Sequence, residues 1–109
     1  MTDKRIVLST AGSEDEARKI ARGLVERRLA ACVNIVPKIE SIYRWQGKVE
    51  STQEWLMIIK TTAAQFDAVR NAIGELHSYQ VPECIALSVE EGSEAYLQWL
   101  EDSVDSSES

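Results

Sequence analysis

"SIYRWQGKVES" (residues 41–51) places Tyr43 and Trp45 two positions apart among polar neighbours, just before Gln46, Gly47 and Lys48. In extended chain, alternation sets Ile39, Ser41, Tyr43 and Trp45 on one face and Glu40, Ile42 and Arg44 on the other. A glycine-containing turn then returns the chain through "EWLMIIKT", a run apolar enough for a central strand. The stretch reads as the tip of a hairpin. Upstream, "AACVNIV" starts the first arm, with an interruption or bend expected at Pro37, which cannot donate to a sheet ladder.

Outward from this hairpin the chain is nearly symmetric. On the N-terminal side "RIVLST" is β-branched and strand-like, and Ser13 with Glu16 has capping-box spacing ahead of a helical stripe of Ala17, Ile20, Ala21, Leu24 and Val25. On the C-terminal side Thr62 with Gln65 repeats the capping-box spacing before a stripe of Phe66, Val69, Ile73 and Leu76. The loop "HSYQVPE" leads into a fourth strand, "CIALSV", and Gly92-Ser93 opens a last helix carrying Tyr96, Leu97, Trp99 and Leu100. Two βαβ-like halves joined through a hairpin predict an α+β, ferredoxin-like split βαβ fold, an antiparallel sheet with helices on one face and an added C-terminal helix. One domain is expected over residues 1–103, followed by a disordered acidic tail over 104–109.

The hairpin is long for the domain that carries it. Cys32 to Trp45 spans about 45 Å if extended at roughly 3.3 Å per residue. A domain of this size has a radius of gyration near 13 Å, equivalent to a sphere about 34 Å across. The tip is therefore expected to overhang, exposing strand edges and the rings of Tyr43, Trp45 and Trp55, which another copy of the chain would cover.

Charge narrows the partners. The 18 acidic and 12 basic residues give a net charge of -6, and Glu101, Asp102, Asp105 and Glu108 account for most of that excess. Neither nucleic acid nor an anionic membrane is favoured, because both require clustered Lys and Arg. "MTDKRIVLSTAGSEDE" has too short an apolar run for a signal peptide or a membrane span, so a cytoplasmic protein is expected. Cys32 and Cys84 lie far apart and read as reduced thiols.

"RLAACVNIVPKIESIYRWQGKVE", "MIIKTT", "LHSYQVPECIAL" and "AYLQWL" occur here in order and closely resemble the CutA divalent-cation tolerance family, from about Ile6 to Leu100. The resemblance implies a homotrimer whose long hairpins join neighbouring subunits, with a role in tolerance to copper and other divalent ions. Some members of that family have been assigned copper ligands from a Cys ending the first strand and a His pair ending the second helix. By motif these positions fall on Ser9, Leu76 and His77, so only one keeps a ligand side chain, and copper, if taken, is expected to be held weakly.

The residues themselves leave several readings open. His77 is the sole histidine and reads either as a helix C-terminal cap or as a metal ligand. Cys32, within an apolar run, reads as a small buried hydrophobe, while Cys84 is a secondary soft donor beside His77. Glu83 and the carboxylates of "EEG" read as surface charge or as hard oxygen ligands. No nucleophile constellation, P-loop or GxGxxG is present, and the expectation is a non-enzymatic protein. The alternative to metal binding is a trimeric signalling or scaffold module taking a small molecule or partner at intersubunit clefts edged by Tyr43, Arg44 and Lys60. That alternative rests on analogy with trimeric nitrogen-signalling proteins.

Overall fold

The computed structural model describes residues 1–105. Strand β1 (Lys4–Ala11) leads through Gly12 and Ser13 into helix α1 (Glu14–Glu26). The Ser13 hydroxyl accepts the Glu16 backbone N–H at 3.1 Å, so half of the expected capping box forms. Strands β2 (Cys32–Trp45) and β3 (Lys48–Thr62) make the long hairpin. Gln46 and Gly47, at φ 50° and 80°, form the two-residue turn that matches the twist of the two arms. Helix α2 (Phe66–Leu76), strand β4 (Ile85–Ser88) and helix α3 (Glu94–Ser103) complete the chain.

The expected second capping box does not form. A 3₁₀ turn (Ala63–Gln65) intervenes, and the Gln65 amide instead donates to the Asp105 carbonyl at 2.7 Å. Ordered packing also continues beyond the expected domain end at residue 103. Val104 is buried with Ala31 and Leu100, and the Asp105 carboxylate meets Arg28 Nε at 2.9 Å. The expected acidic tail is thereby shortened; its remainder, 106–109, lies outside the described residues.

The sheet order is β2-β3-β1-β4, antiparallel throughout, as a split βαβ fold requires. Paired residues share a face, so the register sorts the side chains directly. Val7, Ala11, Met57 and Ile59 face α1 and α2 and bury against Ile20, Leu24, Val69 and Ile73. Each such large aliphatic contributes roughly 1.5–3 kcal/mol by leaving water. The opposite face carries Ile6, Leu8, Leu56, Ile58, Ile85 and Leu87, and Ile85 and Leu87 are about half exposed. Among the described residues neither α1 nor α2 covers this apolar face, and α3 meets it only at its Lys4 end, where Lys4 Nζ donates to Glu101 Oε1 at 2.6 Å.

Strand β1 ends opposite Trp55, so residues 48–54 of β3 pair only with β2, and the two arms overhang as a ribbon. The molecule is accordingly long and narrow, 44 × 26 × 22 Å. Pro37 does not end β2. A bulge between Val36 and Ile39, with Lys38 at φ 58°, inserts one extra residue and the strand continues. An extra residue reverses which side chains face which side. Before the bulge Asn34 and Val36 lie on the helix-free face; beyond it Ile39, Ser41, Tyr43 and Trp45 do.

Candidate functional site

Where the overhanging ribbon leaves the end of β1, the loop 77–84 wraps around and closes a cleft of about 600 Å³. Thr10, Ser41, Tyr43, Trp45, Glu54, Tyr79 and Glu83 are among its lining residues. The bulge is what aims Tyr43 and Trp45 here, on the same face as Glu54.

The loop is held by a set of polar contacts centred on His77, whose side chain is 0% exposed. Its Nδ1 accepts the Tyr79 backbone N–H at 3.0 Å, which leaves the proton on Nε2, donated to the Thr10 carbonyl at 2.6 Å. Glu16 takes the Ser78 hydroxyl at 3.0 Å and stands 3.3 Å from Nδ1, which explains why its carboxylate does not complete the α1 capping box. Ser9 is fully buried and donates to the Glu83 carbonyl at 2.7 Å. His77 is also the C-cap of α2, its N–H bonded to Ile73 O at 2.9 Å, as the capping reading expects.

Tyr79 lies over Gly12 and donates its hydroxyl to Glu54 Oε2 at 2.8 Å. Glu54 is only 7% exposed. Burial, the hydrogen bond to Glu54 and the charge of that carboxylate push the Tyr79 phenol up to about 12. Burial and the Glu54 charge likewise raise the Glu83 carboxyl above its usual range. A Cβ on Gly12 would stand 2.9 Å from the Tyr79 hydroxyl, a clash that the Tyr side chain relieves by swinging away from Glu54. Phenolate absorbance should therefore show a titration step near pH 12 that disappears in Tyr79→Phe and moves toward pH 10 in Gly12→Ala. The same linkage makes Tyr79 a stabilising group below pH 10 whose contribution is lost as pH rises through about 12. A parent protein without the late step would contradict the Tyr79–Glu54 contact.

The residues expected to form a site are only partly assembled. Tyr43 lines the cleft, but Arg44 and Lys60 are not among its lining residues. Tyr43 pairs with Glu50, ten positions before Lys60 on β3, a separation of about 33 Å along the strand. Lys60 instead contacts Asn34. Trp45 is exposed, whereas Trp55 packs against the main core on the helix side. Cys32, expected to be buried, is half-buried on the helix-free face opposite Lys60, because the register places it there. Cys84 packs against the main core just ahead of β4, and burial raises its thiol pKa, Arg70 opposing and Glu83 reinforcing the shift. Glu54, Tyr79 and Thr10 escaped the sequence reading, and Glu16 was read only as a capping residue. The one available signal was Glu54, a carboxylate adjoining an apolar strand.

The model of the CutA1 divalent ion tolerance protein family matches residues 5–103. The chain belongs to this family. A divalent-cation tolerance protein CutA from Thermus thermophilus is 53% identical over 97 residues, covering 89% of this chain and 94% of that protein. Protein CutA from Homo sapiens is 50% identical over 91 residues, covering 84% of this chain but 51% of the human protein, so the chain spans about half of that relative. The solved structure of the Thermus thermophilus protein, titled as a divalent cation tolerance protein, superposes with a TM-score of 0.92 at 50% identity, covering 94% and 99% of the two chains. CutA from Xylella fastidiosa gives 0.93 at 42% identity, covering 95% and 100%. A role in tolerance to divalent cations is thus the family's common description.

The family resemblance raised copper, and the donor set fits it poorly. Both His77 nitrogens are engaged within the fold, the Ser9 hydroxyl is committed to Glu83 O, and Leu76 offers no donor. The raised Cys84 pKa favours the neutral thiol over the thiolate that binds soft metals. Among the described residues no group of three or more His, Cys, Asp or Glu side chains is placed to hold a metal ion. Nor is any helix of the described residues long and apolar enough to cross a membrane.

Proposed function

We propose that the protein serves divalent-cation tolerance in the cytoplasm as a non-catalytic homotrimer, and that it does not do so by chelating copper at His77. The observation that carries this reading is the apolar sheet face left bare by α1 and α2, continuous with an overhanging ribbon that bears exposed Tyr43 and Trp45. A single chain exposing both would be prone to edge pairing and aggregation, and three copies closing a ring would cover both at once. Family membership supports the cation-tolerance role, and the trimer is what the resemblance to the family implies. The absence of catalysis is supported by the His77 geometry, since an imidazole with both nitrogens committed cannot act as a general base for a hydroxyl nucleophile.

Copper titration of the parent, His77→Ala and His77→Asn proteins tests the second half of the proposal. Equal, weak uptake by all three is the expected outcome. One equivalent bound by the parent and lost in both variants would restore His77 as a ligand. Light scattering tests the first half, with the mass of three chains expected.

A further inference from the structure

Nδ1 of His77 stands between a donor and an acceptor. The Tyr79 backbone N–H meets it at 3.0 Å, and Glu16 Oε1 lies 3.3 Å away. A ring nitrogen accepts when it is bare and donates when it carries a proton, so it cannot serve both neighbours in one protonation state. The neutral ring accepts from Tyr79. The imidazolium instead sets its own N–H against the Tyr79 N–H, and the Glu16 carboxylate becomes the partner that fits. Bulk water does not settle the conflict, because the His77 side chain is 0% exposed.

The surroundings make the second arrangement available. From α1, the Glu16 side chain is 18% exposed and already takes the Ser78 hydroxyl at 3.0 Å. From β1, the Thr10 carbonyl accepts the Nε2 proton at 2.6 Å in either state of the ring. From the loop, the Tyr79 ring stands 4.5 Å from the imidazole between centroids, and its hydroxyl reaches Glu54 of β3 at 2.8 Å. Glu83 is near enough to feel the Glu54 charge, and on α2 itself Glu75 is paired with Arg27. Tyr79 is thus the link between the loop and the base of the ribbon. A main-chain N–H left without an acceptor inside the fold is costly, so Tyr79 moves once Nδ1 turns to Glu16.

We propose that His77 is a proton-operated latch on the loop 77–84. Bare Nδ1 holds the Tyr79 N–H; a proton taken from solvent makes Nδ1 a donor to Glu16, releases the Tyr79 N–H and frees the loop where it meets the hairpin. Only hydrogen bonds and one proton change. The latch goes beyond the cation-tolerance reading and lies within one chain, so it does not depend on how copies assemble.

The chain has one histidine, so NMR of the imidazole nitrogens reads His77 without ambiguity. The parent, Glu16→Gln and His77→Asn proteins are compared at about pH 8 and about pH 5, the range in which histidines ordinarily change charge. In the parent, Nε2 alone is expected to carry a proton at the higher pH and both nitrogens at the lower. Hydrogen exchange of the Tyr79 amide, corrected for the pH dependence of free amides, should lose at least about tenfold in protection between them. The loss should fall below about threefold in Glu16→Gln, where the imidazolium has no carboxylate to turn to. In His77→Asn, whose carbonyl accepts the Tyr79 N–H but does not titrate, protection should be the same at both values. The Ile59 amide, in the core, should stay protected throughout. A ring still neutral at the lower pH, a protonated ring with Tyr79 protection unchanged, an equal loss in either variant, or a loss shared by Ile59 would each overturn the latch.

Discussion

Ile58→Asp should sediment as a single chain under conditions where the parent runs as a trimer. Ile58 lies near the centre of the helix-free face, paired with Leu8 on one side and Asn34 on the other, with Ile85 next along from Leu8. In an assembly that buries this face, the substitution places one carboxylate per subunit in an apolar, symmetric contact whose neighbouring cation, Lys60, is already engaged by Asn34. The effective cost of burying such a charge is several kcal/mol, incurred three times per trimer. In the isolated chain the same carboxylate reaches water, and the main core on the other face is untouched. The folded monomer should therefore retain its far-UV circular dichroism. A variant of unchanged sedimentation would show that the apolar face is not the contact, and the proposed assembly would have to be abandoned.

His77→Ala should lower the unfolding free energy by about 3–5 kcal/mol, the largest effect expected from any cleft-region residue. The substitution removes two buried hydrogen bonds, each worth about 1 kcal/mol net, and strands the Thr10 carbonyl, which adds a desolvation penalty of about 1–3 kcal/mol. It also unties the C-terminal end of α2 from the end of β1. His77→Asn, whose side-chain carbonyl can still accept the Tyr79 N–H, should recover part of the loss. The comparison discriminates function from architecture, because a ligand held outside the fold's own bonding would leave stability in the metal-free protein nearly unchanged. Urea unfolding with a change below about 0.5 kcal/mol would reject the structural role of the imidazole.

Much of this molecule is legible without coordinates, for reasons that can be traced to particular residues. In the α1 stripe Ala17, Ile20, Ala21 and Leu24 are buried as the 3.6-residue period demands, while Val25 is 40% exposed. The turn at Gln46 and Gly47 follows from the conformational freedom of that pair. Where the reading failed, a tertiary partner had outcompeted the local one. Glu16 left its capping box for Ser78 and His77, and Gln65 left its own for Asp105. Both partners lie too far away in sequence for a local pattern to reveal. Trp55 looked like the companion of Trp45 because both sit on hairpin arms, yet its pairing with Ala11 turns it toward the helices.

The order of elements, the overhanging arms and the split βαβ topology are consequences of periodicity, turn chemistry and chain length, all of which act between near neighbours and are written into the string of residues. Which groups meet in the cleft is not. That was decided by one inserted residue beside Pro37, which exchanged the two faces of the outer arm, and by a loop whose histidine bonds across 67 residues to Thr10. A single-residue shift of register leaves the alternation pattern unchanged while reversing what it faces, so only the folded chain could distinguish the two.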